Sequence, residues 1–166
     1  MKVAEIGCHL GGTTFTIAEH IKTSHGRLWA IDSWLDKDIY RAFMDVAIHF
    51  PNVFPIRDTS LEALRIFPDG WFDLVFIDAN HLYSYVKQDI QGWMPKVRKD
   101  GILCGHDCEQ YYTKYNETDQ KLIAEHKDDD NTPFTCHPGV VMALYDMFRD
   151  DYQKEENTRI WYKKKA

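Results

Sequence analysis

The chain has 166 residues, a mass of 19.5 kDa and a formal net charge of −6. That length fits one domain burying roughly 70% of its unfolded surface, enough for a core without disulfides or metal staples. Hydrophobic residues at 44% and charged residues at 28% exclude disorder over most of the chain, no run approaches the ~20 apolar residues of a membrane span, and the acidic balance argues against nucleic acid as a partner.

Val3 to Ile6 predicts a short strand ending at Gly7. Thr13 to Lys22 has helical spacing through Phe15, Ala18 and Ile21. Leu28 to Ile31 reads as a second strand, closed by Asp32. Asp36 to Phe50 reads as a second helix, with Asp36 and Asp38 at its positive end. Val53 to Ile56 is a third strand that Pro55 demotes toward an edge. Thr59 and Glu62 make a capping box that opens a short helix. Phe72 to Ile77 is the strongest strand, a near-continuous apolar run of the kind buried on both faces of a parallel sheet, and it ends in Asp78.

Tyr83, Val86, Ile90 and Trp93 trace one face of a helix that stops at Pro95. Gly101 marks the turn into a fifth strand, Ile102 to Gly105. Residues 108–137 are polar, with an acidic run at Asp128, Asp129 and Asp130, and are too long for a plain connection. They predict a lid or insertion with a helical piece around Gln120 to His126. Pro138 opens the last helix. Thr158 to Lys163 alternates like a terminal strand, paired with Tyr152 to Glu155 across Glu156 and Asn157.

Strand and helix thus alternate along a single domain, residues 1–166. The expected class is α/β: a Rossmann-like, doubly wound, mostly parallel sheet with helices on both faces and a C-terminal antiparallel edge strand. Ligands of such sheets bind outside the carboxyl ends of the strands. That rule selects Gly7 to Gly12, Asp32, Asp58, Asp78 to His81, and Gly105 to Asp107.

The turn E-I-G-C-H-L-G-G, Glu5 to Gly12, has neither the G-x-G-x-x-G dinucleotide spacing nor the G-K-[ST] of a P-loop. Asp32, about 20 residues beyond it, suits two ribose hydroxyls, against a local capping role. Asp78, His106 and Asp107 end neighbouring strands. Two carboxylates and an imidazole suit Mg2+ or Mn2+ with positions open to substrate oxygens, against a metal-free polar cluster. His81, near its unperturbed pKa of about 6.5, suits a general base, against a helix cap. Trp34 is balanced between stacking on a ligand and core packing, and His137 reads as a loop histidine able to reach the site. Cys8, Cys104, Cys108 and Cys136 lack any paired C-x-x-C and read as free thiols in a reducing compartment. The N-terminus has no signal-peptide apolar region, so the expected location is cytoplasmic. Lys163, Lys164 and Lys165 read as a solubilising tail.

The order E-x-G-x-x-x-G, ribose-type acid, F-D-L-V-F-I-D-x-x-H, D-G-I-L-x-G-H-D resembles class I S-adenosylmethionine-dependent methyltransferases over about residues 3–107. The branch it is most similar to includes macrolide sugar O-methyltransferases and cephalosporin hydroxylase-like proteins; catechol O-methyltransferase is a more distant likeness. The resemblance implies S-adenosylmethionine as cofactor, with Glu5, Gly7, Cys8, His9, Gly11 and Gly12 as its turn. It implies Asp32 on the ribose with Ser33 and Trp34 beside it, and Asp58 near the adenine. Asp78 belongs to the cofactor-binding set as well, and with His106 and Asp107 it matches metal-binding positions, although His106 departs from the family's carboxylate or amide there. His81 matches the general base.

The implied activity is O-methylation of a small hydroxylated acceptor, such as a sugar, a glycosylated metabolite or a polyphenol, with Mg2+ or Mn2+ assistance as a separate expectation. Association as a homo-oligomer is left open. Two rivals stand beside it. One is a nicotinamide-dependent oxidoreductase, which the glycine spacing disfavours. The other is a non-catalytic or truncated cofactor-binding module, because the chain starts at its first strand without the helices that cover the cofactor in relatives.

Overall fold

A computed structural model of the chain describes residues 1–129 and 135–166. Seven strands form one sheet: β1 (Lys2–Ile6), β2 (Arg27–Asp32), β3 (Val53–Arg57), β4 (Phe72–Ile77), β5 (Val97–Gly105), β6 (Gln153–Lys154) and β7 (Trp161–Lys164). The order is β3-β2-β1-β4-β5-β7-β6. β1 to β5 run parallel, and the β6–β7 hairpin adds two antiparallel strands. The fold is the Rossmann-like doubly wound sheet that the alternation predicts, and the expected terminal hairpin forms, with β7 antiparallel to β5 and β6 at the edge. Pro55 sits in the edge strand β3, where its missing N–H leaves no ladder position empty.

The helices are α1 (Gly12–Lys22), α2 (Lys37–Ala47), α3 (Ser60–Ala63), α4 (Tyr83–Lys96), α5 (Glu117–Glu125) and α6 (Pro138–Phe148). Alternate strand residues feed two cores. Val3, Leu28 and Ala30 meet Ala18 and Ile21 of α1 and Phe43 and Ala47 of α2 on one face. Ala4, Ile6, Val75, Ile77 and Leu103 meet Val86, Ile90 and Trp93 of α4 and Val140 and Leu144 of α6 on the other. Asp36 caps α2, accepting from the backbone of Asp38 at 2.8 Å, and Thr59 caps α3. Pro95 does not stop α4; it lies in the last turn, one residue before the end.

The segment expected to form a lid carries a short 3₁₀ turn, Tyr112–Lys114, and then α5, capped by Asn116. Its Lys127 carbonyl and Asp128 carboxylate hold the backbone N–H groups of Tyr83 and Ser84 at the start of α4, at 2.9 and 3.0 Å. Asp130 lies outside the described residues. The four cysteines are free, as expected.

The strand ladders continue past their ends. Gly7 N–H donates to Ile31 O, Asp78 N–H to Ile6 O, Asp58 N–H to Asp32 O and His106 N–H to Ile77 O, all between 2.8 and 3.2 Å. These bonds align the tips that bear the candidate site. Gly7 has φ +87, and a Cβ there would collide with the Asp78 carbonyl and come within 2.6 Å of Ala79 Cα. Both the left-handed backbone and the close approach require glycine. Gly7→Ala should therefore cost about 3 kcal/mol in denaturant unfolding; a loss under ~0.5 kcal/mol would show that the turn relaxes freely.

Candidate active site

Asp32 organises the turn after β1. Its Oδ2 accepts the N–H groups of Cys8 and His9 at 2.8 and 2.9 Å, and its Oδ1 accepts that of Trp34 at 2.8 Å. Three backbone bonds leave lone-pair capacity for a further hydroxyl donor. The carboxylate thus does the local work that the sequence set against a ribose role, while still lining a cavity of about 700 Å3 outside the strand tips. That cavity also receives Gly7, His9, Ser33 and Asp78.

Other members of the expected cofactor set lie elsewhere. Trp34 is 2% exposed, packs on Tyr40 and Phe43, and donates its indole N–H to His9 O at 2.8 Å. It is core, so stacking on a ligand is corrected. Cys8, Gly11 and Gly12 do not line the cavity: Cys8 is buried, and Gly11 and Gly12 start α1. Asp58 is likewise off the wall, accepting the N–H of Thr59, and Thr59, Ser60 and Leu61 line the cavity in its place. Tyr85, Gln88 and Asp89 of α4 complete that side and were missed from sequence. Tyr85 and Gln88 are exposed, away from the apolar stripe, whereas Asp89 is buried along its border beside Ile90; a carboxylate in that position was the available signal. Asp89 accepts from Ser60 Oγ, which in turn accepts from Trp93 Nε1 at 2.8 Å. Burial, opposed by the Ser60 bond, pushes the Asp89 carboxyl up to about 6.

The second half of the site converges on Asp107. This residue has φ +60 and is 7% exposed. Oδ2 lies 3.0 Å from His81 Nε2, and Oδ1 lies 3.0 Å from His106 Nδ1 and 3.5 Å from His137 Nδ1. Asp78 Oδ1 is 3.7 Å from His81 Nε2. His137, at the N-terminus of α6, gives its Nδ1 and its backbone N–H to the two oxygens of Glu109 at 2.8 and 3.1 Å. Arg159, in the β6–β7 hairpin loop, pairs with Asp107 and Glu109 at 3.5 and 3.7 Å. Glu109 and Arg159 were not foreseen, and no local pattern marks them.

Burial alone would raise the Asp107 carboxyl. Pairing with His81, then the charges of His137 and His106, outweighs it and holds the group down to about 2. The contact with Asp107, then that with Asp78, conversely holds His81 up to about 9. The metal-free cluster is thus a carboxylate–imidazolium pair at neutral pH. Donor atoms of Asp78, His106 and Asp107 all lie within 4.8 Å of one another, as do those of His81, Asp107 and His137. The described part of 108–137 contributes nothing to the large cavity. It lines a separate one of about 380 Å3, through Glu109, Gln110, Tyr115, Asp119, Ile123, Thr135 and Cys136.

A glycine turn after β1, a structural acid after β2 and an acid–histidine cluster after β4 and β5 define an α/β ligand-binding crevice. Residues 4–108 match the family described as a methyltransferase domain, and the chain belongs to that family. The fold is that of class I S-adenosylmethionine-dependent methyltransferases. A candidate O-methyltransferase from Klebsiella pneumoniae superposes with a TM-score of 0.65 at 16% identity, over 99% of this chain and 73% of that one. A candidate caffeoyl-CoA O-methyltransferase from Staphylococcus aureus gives 0.64 at 14%, over 97% and 73%. Fibrillarin from Aeropyrum pernix, solved with natively bound S-adenosyl-L-methionine, gives 0.62 at 12%, over 97% and 65%. An uncharacterized protein of Sinorhizobium fredii is 26% identical over 121 residues, and the match covers 65% of this chain and 13% of that protein. No helix among the described residues is long and apolar enough to cross a membrane.

Glu5 lies beneath the turn, 1% exposed, with Oε2 unpartnered. Burial, opposed by Thr14 and Cys8, pushes its carboxyl up to about 7. The folded chain therefore keeps a proton that the unfolded chain releases, and stability falls as pH rises from about 4.5 to about 7. Glu5→Gln should flatten that slope in chemical denaturation and raise stability at pH 8 by about 3 kcal/mol. A slope unchanged in the variant would place the titration on another group.

Proposed function

We propose that the chain binds S-adenosylmethionine in the 700 Å3 cavity and transfers its methyl group to a hydroxyl of a small acceptor. The observation that carries this reading is the shared tip of β4. Asp78 lines the cavity while His81, in the same loop, faces Asp78 and Asp107. The donor cavity and the proposed base therefore meet at one loop. The volume suits a cofactor of nucleoside size, the backbone at Gly7 is bare, and the buried Glu5 oxygen below it has no partner among the described residues. Asp32, with capacity left after its three backbone bonds, is the group for the ribose hydroxyls.

The acceptor oxygen attacks the methyl carbon as the carbon–sulfur bond breaks. The bond pair stays on sulfur, and S-adenosylhomocysteine leaves. The chain's task is alignment of an in-line displacement and removal of the hydroxyl proton, a role this reading gives to the His81 imidazole. Asp78, His106 and Asp107 would hold a divalent ion of the Mg2+ or Mn2+ kind, and that ion supplies polarisation of the hydroxyl. Those carboxylates are the ones that hold the His81 pKa up, so an ion held there would also favour the neutral imidazole that a base requires. In this reading a hydroxyl-rich acceptor approaches from the separate 380 Å3 cavity, whose Glu109 also holds His137; Glu109 and Asp119 offer hydrogen-bond acceptors there, and the buried Tyr115 hydroxyl has no partner among the described residues. The net charge of −6 favours a small molecule over a polyanion.

Calorimetry with S-adenosylhomocysteine should show one site, weakened at least tenfold by Asp32→Ala; no heat of binding would reject the reading. Across a panel of sugar and phenol acceptors, His81→Ala should lower kcat by about 10²–10⁴-fold with cofactor affinity within a few-fold of the parent. Unchanged turnover in that variant would remove His81 as the base.

A further inference from the structure

The Asp107 cluster holds more donors than the proposed hydroxyl-activating ion uses. His81, Asp107 and His137 place one donor atom each within 4.8 Å of the other two. His81 Nε2 is sealed from solvent, and no acceptor lies in line with its N–H, although Asp107 Oδ2 is 3.0 Å away. The His81 and His137 rings stand edge to face, 4.8 Å between centroids. Glu109 grips His137 twice, at Nδ1 and at the backbone N–H. A carboxylate on one ring nitrogen is how metal-ligating histidines are oriented, and it leaves the other nitrogen with its lone pair. Asp78, Asp107 and Glu109 surround this cluster against one guanidinium, Arg159. With neutral imidazoles two negative charges remain, the complement of a divalent cation.

We propose that His81, Asp107 and His137 bind a borderline transition ion of the Zn2+ or Co2+ class, at a site that shares Asp107 with the hydroxyl-activating position and silences methyl transfer by occupying His81. Two imidazoles and one carboxylate with an open fourth position suit such ions, whereas hard Mg2+ takes oxygen donors. The two occupancies exclude each other, because Asp107 serves both and His81 cannot ligate and accept a proton together. Metal identity would therefore decide between an active and a silent protein. The silencing clause rests on the proposed function; the binding clause does not.

The test is a CoCl2 titration of the metal-free full chain, followed by visible absorption, with circular dichroism to confirm that each variant is folded. One Co2+ per chain is expected, with a ligand-field band displaced by ZnCl2. His137→Gln and His81→Gln should abolish the band, and His106→Gln should keep it. Glu109→Ala, which removes only the orienting carboxylate, should weaken Co2+ binding by roughly 10–100-fold. No band in the folded parent chain, or a band lost in His106→Gln and kept in His137→Gln, overturns the site. Separately, micromolar ZnCl2 should inhibit S-adenosylhomocysteine formation at saturating Mg2+; Zn2+ that binds through His81 and His137 without inhibiting overturns the silencing clause. If cofactor calorimetry fails while the Co2+ band appears, the functional reading is at fault and the metal site stands.

Discussion

The site depends on one close approach of backbone to backbone. Gly7 lies against the Asp78 carbonyl because no side chain stands between them, and the Asp78 N–H bonds to Ile6 O at 2.8 Å. This contact brings the cofactor turn of one strand within reach of the acid–histidine tip of the next. Asp32 then fixes the turn from the opposite side, spending two of its three backbone bonds on the turn's N–H groups. The proposed donor pocket and proton acceptor are neighbours because these two strands are neighbours, and the parallel register carries that adjacency to their ends.

Electrostatics sets the resting state of the cluster. A carboxylate held down and an imidazole held up describe a tight ion pair, since each stabilises the charged form of the other. Such a pair resists general-base chemistry until something competes for the carboxylate. On the proposed reading, a cation on Asp107 would be such a competitor, and the three imidazoles around that one carboxylate are the groups that would respond to it.

Much of this architecture was legible in the sequence. β4 was read at its observed limits because it is apolar throughout, and the tips of β1, β2, β4 and β5 were located by their glycines and acids. β5 was read short, since Arg98, Lys99 and Asp100 are exposed although they belong to the strand, which Asp100 kinks with φ +62. α2 was read long, because Phe50 continues the apolar spacing; the helix ends at Ala47, and Phe50 stacks on Phe15 instead. Trp34 shows the limit of spacing arguments. Its backbone has φ +37, and its ring enters the core between Tyr40 and Phe43. Glu109 and Arg159 were invisible for another reason: they meet only because the terminal hairpin folds back beside β5, and sequence separation hides such a contact.

A second bare backbone position constrains what the acceptor side can become. A Cβ at Gly139, in the first turn of α6, would strike the His81 carbonyl and approach the Lys127 carbonyl at 2.6 Å. Two distant stretches of chain, at Lys127 and Gly139, thus press on the peptide that carries the proposed base, like stones around a wedge. Substitutions that redirect this protein toward new acceptors are better sought around Tyr115 and Asp119, where the wall is made of side chains, than at residues 137–139, where a single added methyl group would dislodge the histidine itself.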